Sequence, residues 1–104
     1  MKIEFEHEYL QELYEDGKAT NKKFRFQPQI IHKYKNTIDR LRAARRIEDL
    51  FLFKSLNYEK LSNSGIESVR VDGKYRIEFR SRMEGQEPET ITICSITKLS
   101  NHYK

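Results

Sequence analysis

Residues 68–79 read Ser-Val-Arg-Val-Asp-Gly-Lys-Tyr-Arg-Ile-Glu-Phe, two short runs in which apolar and polar side chains alternate around Asp72-Gly73. A period of two is the signature of half-buried strands, and Asp-Gly between them marks a hairpin turn. The side-chain pattern selects the length of that turn. A two-residue turn would set Val71 against Lys74 and Val69 against Arg76, mixing valines and cations on one face. Such a slip moves a strand's whole apolar set to the wrong side. A three-residue connection instead pairs Val71 with Tyr75 and Val69 with Ile77, all facing a core. Arg70 and Arg76 then stand directly opposite each other on the wet face, where like charges repel. The pattern therefore predicts an anion bound there, and a phosphate is the natural fit.

At 104 residues the chain is expected to form one domain, 1–104, with a single modest core. No apolar run reaches the roughly 20 residues that a membrane-spanning helix needs, so no membrane partner is expected. The first six residues, Met-Lys-Ile-Glu-Phe-Glu, lack the apolar stretch of a signal peptide. The lone cysteine, Cys94, has no internal disulfide partner and falls in a predicted strand, where it reads as a small buried apolar residue. Together these features predict a cytoplasmic protein.

Formal net charge is +4, but it is unevenly spread. Up to residue 16, Lys2 stands against Glu4, Glu6, Glu8, Glu12, Glu15 and Asp16. From 18 to 46, ten Lys and Arg stand against Asp39 alone. From 70 to 82, Arg70, Lys74, Arg76, Arg80 and Arg82 outnumber Asp72 and Glu78. Segregation of this kind suits a polyanion or an oppositely charged protein.

Ile3 and Phe5 alternate with charged neighbours, predicting a first strand. Tyr9, Leu10, Leu13 and Tyr14 then recur at helical spacing, and Gly17 supplies a stop. Residues 18–27 read as a loop, with Phe24 and Phe26 as satellite core contacts. Pro28 fits the first turn of a second helix, which buries Ile30, Ile31, Tyr34, Ile38 and Leu41 and exposes Lys33, Lys35, Arg40 and Arg42. A short helical segment is expected near Ile47–Leu52. Beyond Gly65 the pattern turns to strands: the hairpin, a polar loop from Met83 to Glu89, and a last strand from Thr90 to Thr97. Lys98 and the tail follow that strand. The expected fold is α+β, an N-terminal strand and two helices packed on a mainly antiparallel sheet.

His7, His32 and His102 are far apart, and Cys94 has no ligand at metal spacing, so no metal or cofactor is expected. No glycine-rich phosphate loop or nucleophile elbow is present. What remains is cationic and protic: Arg70, Arg76, Lys98, His102 and Tyr103, with Lys74 and Arg80 extending the basic surface. This set suits internal attack of an RNA 2′-hydroxyl on the adjacent phosphate, which needs no metal. Cations stabilise the extra negative charge, at about 3 kcal/mol per well-placed donor. A proton acceptor and a proton donor each add on the order of 10²–10⁴ in rate.

Three segments carry a resemblance to a known family: Leu56-Asn57-Tyr58-Glu59-Lys60-Leu61, then Gly65 with Ser68-Val69-Arg70-Val71 and Tyr75-Arg76-Ile77, and the tail Leu99-Ser100-Asn101-His102-Tyr103. The chain resembles RelE/ParE superfamily toxins, and within them the HigB-like type, in a form similar to those of Bacteroidetes. The resemblance spans nearly the whole chain and implies a RelE-like fold. It implies a toxin of a type II toxin–antitoxin system, a ribosome-dependent messenger RNA endoribonuclease. The partners so implied are the ribosome, mRNA and a helix-turn-helix, HigA-like antitoxin that holds the toxin inactive in a hetero-oligomer. By the same resemblance, Arg70 and Arg76 contact the scissile phosphate, and His102 and Tyr103 serve in proton transfer or base stacking. Asn57 and Tyr58 stand where many relatives have His-Pro, and Asn57 does not titrate near neutrality. Two alternatives stand beside this reading: a ParE-like toxin that poisons gyrase, and a non-catalytic binding module using the basic helix.

Overall fold

A computed structural model of the chain describes residues 1–61 and 63–101. Five strands form one sheet in the order β1-β5-β4-β3-β2: β1 Lys2–Phe5, β2 Glu59–Lys60, β3 Glu67–Arg70, β4 Arg76–Glu84 and β5 Ile91–Ser100. All neighbours are antiparallel except β1, which runs parallel to β5 and pairs Ile3 with Cys94. Two α-helices, α1 Glu8–Glu15 and α2 Pro28–Ala43, pack on one face. The expected α+β arrangement, helices packed on a mainly antiparallel sheet, is what the chain adopts.

Each helix forms where its sequence says. Glu8 lies in the first turn of α1, where a negative charge complements the helix dipole. Gly17, at φ +76°, follows the Asp16 cap and takes the left-handed conformation that ends a helix without strain. Pro28 opens α2, and Ile30, Tyr34, Ile38 and Leu41 make its buried stripe. The Tyr34 hydroxyl donates to the Leu10 carbonyl at 2.7 Å and ties the two helices together. Against them the sheet sets Val69, Ile77, Phe79, Ile96 and Leu99. Full burial of such side chains stabilises by about 1.5–3 kcal/mol each. Phe26 meets Tyr75 edge-on at 5.9 Å, and Phe24 stacks on Tyr9 at 3.7 Å, so both are the satellite contacts expected of them.

The hairpin has the three-residue connection that its alternation demands. Val69 pairs with Ile77 and Arg70 with Arg76, and the Val71 amide donates to the Tyr75 carbonyl at 2.9 Å. Asp72 builds the turn: one carboxylate oxygen accepts from the amides of Lys74 and Tyr75, both at 2.8 Å. Residues 47–52 and 54–56 form short 3-10 helices anchored in the core by Leu50 and Leu56.

Several features depart from expectation. β4 runs on through Met83 and Glu84, which pair with Thr92 and Ile91, so the polar loop begins only after them, and Lys22–Phe24 forms a 3-10 turn within the expected 18–27 loop. The two-residue β2 joins the sheet at its edge. The last strand does not end at Thr97 but continues to Ser100, because Thr97 is an extra residue: Ile96 faces Phe79 while Lys98 faces Glu78. The Thr97 hydroxyl donates to the Glu78 carbonyl at 3.1 Å, closing this bulge.

Candidate active site

Alternation divides β3, β4 and β5 into two faces. Val69, Ile77 and Leu99 meet the helices. Ser68 and Arg70, Arg76, Glu78 and Arg80, and Lys98 and Ser100 share the other face. Arg70, Arg76, Lys98 and Arg80, four of the residues singled out from the sequence, are therefore brought together on the helix-free side. Lys98 lies within β5 rather than after it, beside Glu78.

The placement of Arg76 needs correction. It lies on the expected face but is only 4% exposed. Its Nε donates to the Ser68 hydroxyl at 3.0 Å, and one terminal nitrogen donates to the carbonyl of Asn57 and lies 4.0 Å from a Glu59 carboxylate oxygen. Asn57 adopts a left-handed conformation, φ 43°, at the end of the second 3-10 turn, which turns its carbonyl toward Arg76. Arg70 is exposed and its Nε donates to the Asp72 carbonyl at 3.1 Å. The two guanidinium groups are thus drawn toward different partners, and protein acceptors relieve their repulsion without an anion. Arg76 is a fixed donor and Arg70 an accessible one.

Arg80 is exposed and reaches the Ser64 carbonyl at 3.3 Å, and Lys74 is exposed in the turn. Tyr58 does not join this group. It packs against the core on the opposite face, and its hydroxyl donates to buried Glu67, which also accepts from Ser81. Burial, with the Glu67 contact second, pushes the Tyr58 hydroxyl pKa well up. His102 and Tyr103 lie outside the described residues.

Sequence reasoning passed over Glu59. Its register partner is Ser68, so it projects to the arginine face, and it is half exposed beside Arg76. It stands within the Leu56–Leu61 segment, but a strand of two residues leaves no period from which its facing can be read. Ser68, fully buried, was likewise read only as strand. Around the arginine pair the face offers Arg70, Arg76, Arg80 and Lys98 against Glu59 and Glu78, while farther along β4 Arg82 is neutralised by Glu4 and Glu84. That excess suits a phosphodiester. A groove of about 560 Å³ opens next to Lys98 between α1 and β5, but Glu8 and Glu12 line it, which disfavours an anion there. Cys94 is buried, and its thiol pKa is pushed up to about 12 by that burial and, secondarily, by Glu67. It is no nucleophile near neutrality.

No helix among the described residues is long and apolar enough to cross a membrane. No curated protein matches the chain significantly. Among solved structures, the chain is similar to a YoeB/ParE toxin from Agrobacterium tumefaciens, with a TM-score of 0.51 and 16% identity over 99% of this chain and 100% of that one. At that identity the likeness speaks for the fold alone. The family model for the RelE-like toxin HigB of type II toxin–antitoxin systems matches residues 3–90, which takes in Asn57, Glu59 and the whole hairpin and stops before Lys98. The chain therefore belongs to the HigB-like family of RelE-like toxins, proteins of type II toxin–antitoxin systems that have an antitoxin as partner.

Proposed function

We propose that this toxin is a ribosome-dependent endoribonuclease that cuts mRNA during translation in the cytoplasm and is held inactive by a helix-turn-helix, HigA-like antitoxin. The observation that carries the reading is the opposed arginine pair on the helix-free face, one guanidinium fixed at Ser68 and Asn57, the other exposed. Family membership supports it, since members are typically endoribonucleases.

The reaction follows from the groups available. Arg70 and Lys98 draw the scissile phosphate to the face, and Arg76 meets the charge that grows on its non-bridging oxygens. A donor already held in place needs no reorganisation when that charge appears. The 2′-oxygen attacks phosphorus and its proton passes to a base, for which Glu59 stands beside Arg76. The bond to the 5′-oxygen breaks as that oxygen takes a proton from an acid, leaving a 2′,3′-cyclic phosphate and a 5′-hydroxyl. His102 or Tyr103 is the proposed acid, and Lys74, Arg80 and Asn57 hold the flanking RNA.

Ribosome dependence is tested by incubating the purified toxin with one message, translated or naked, and mapping ends by primer extension. Cuts confined to the translated message support the reading. Growth arrest without any cut, relieved by gyrase variants, would make the protein a gyrase poison.

A further inference from the structure

Three consecutive apolar side chains stand in solvent: Phe51 at 56%, Leu52 at 79% and Phe53 at 48% exposure. A run of this kind has no place on a surface unless something covers it. It is also held in position, because Leu50 before it and Leu56 after it are buried in the core. Its rim is cationic. The Arg40 guanidinium lies 5.0 Å from the Phe53 ring and donates to the Ser55 hydroxyl at 3.3 Å. Lys54 lines a cleft of about 380 Å³ with Phe51, Phe53, Asn57 and Tyr58. Lys33, two turns before Arg40 on α2, continues the positive stripe by about 10 Å. Of the carboxylates nearby, Glu67 is buried and bonded to Tyr58, Asp49 is paired with Arg46, and Glu48 is close enough to act on Tyr58.

We propose that the Phe51–Phe53 ridge is the dock of the antitoxin, and that it receives an acidic amphipathic segment. Apolar side chains of the segment cover Phe51 and Leu52, while its carboxylates meet Arg40, Lys54 and Lys33. This rests on membership of a toxin–antitoxin family, not on the cleavage chemistry. Single-stranded RNA fits the ridge less well. Base stacking needs open ring faces, whereas Phe53 carries Arg40, Phe51 leans on Tyr58 at 5.0 Å, and Leu52, the most exposed, has no ring. The cleft also ends at Asn57, whose carbonyl holds Arg76, so a docked segment lies at the margin of the arginine face. Docking there places the antitoxin where it can block substrate.

The test uses the full chain, its Leu52→Glu and Arg40→Glu variants, and a purified HigA-like helix-turn-helix antitoxin, the partner proposed above. Both variants should keep the wild-type circular dichroism and cleavage, while Leu52→Glu weakens antitoxin binding about 100-fold. Arg40→Glu should weaken it too and flatten its salt dependence. Variants that bind like wild type overturn the dock alone. Wild-type toxin that does not bind the antitoxin overturns the pairing and the dock with it. Loss of cleavage with binding retained makes the ridge an RNA contact, and a wild-type dimer that Leu52→Glu splits makes it a self-association face. Either result overturns the proposal.

Discussion

Arg70 and Arg76 share one rung of the sheet, yet alanine at the two positions should affect the fold in opposite ways. The Arg70 side chain is exposed and its Nε is bonded to the Asp72 carbonyl. Its removal should change stability by no more than about 0.5 kcal/mol, as is usual for surface substitutions. Arg76→Ala takes a donor from the buried Ser68 hydroxyl and from the Asn57 carbonyl. Orphaning a buried polar group costs about 1–3 kcal/mol. With one partner fully buried and the other at the margin, the loss comes to about 3 kcal/mol. In a chain of this size that lowers the thermal midpoint by about 10–15 °C. Both substitutions should also reduce cleavage, by about 10²–10³, the effect of losing one positioned donor. The assay is a thermal melt by circular dichroism, with cleavage measured at a temperature where each variant is folded. Arg76→Met, which restores the stem but no donor, should melt near the alanine variant. An Arg76→Ala protein that melts within about 2 °C of wild type would refute a structural role for the guanidinium.

Glu59→Gln should lower the cleavage rate by about 10²–10⁴ while leaving the melt unchanged, because the side chain is half exposed. Tyr58→Phe should do the reverse: it removes a donor from buried Glu67, costs about 1 kcal/mol, and leaves cleavage per folded molecule as it was. Because the buried Cys94 thiol has its pKa raised to about 12, it should resist a disulfide reagent at pH 8 until the chain is unfolded. The unfolded thiol ionises first, so this group withdraws stability as pH rises past about 8.5, which melts between pH 8 and 10 would show. His102→Gln should lower the cleavage rate of a translated message, by about 10²–10⁴ if the imidazole moves a proton.

The hairpin was legible down to its register because two constraints agreed. Only one turn length put Val69, Val71, Tyr75 and Ile77 on a common side, and Asp72 can accept from the amides of that turn. Alternation gives the face of a side chain but not what lies over it, so the burial of Arg76 was not legible. Its cover comes from Asn57, nineteen residues earlier, through a left-handed turn that no period announces. The last strand was cut short for a related reason. Ile93, Ile96 and Leu99 break the period of two, and only the bulge at Thr97 shows that Ile96 and Leu99 still share a face. The partner of β1 was out of reach because four alternating residues mark a strand without naming its neighbour. The exposed Phe51–Phe53 ridge was legible only as a helical segment, since an apolar triplet looks the same in a core as on a dock.

The central claim is that the helix-free sheet face is the catalytic surface of an RNA-cleaving toxin. The most direct measurement is the chemistry of the cut ends from a translated message, for wild type and Arg70→Ala side by side. The account predicts a 2′,3′-cyclic phosphate upstream and a 5′-hydroxyl downstream for wild type, and almost no cut for a variant with the wild-type melt. Full cleavage by folded Arg70→Ala, or a 5′-phosphate at the cut, would contradict it.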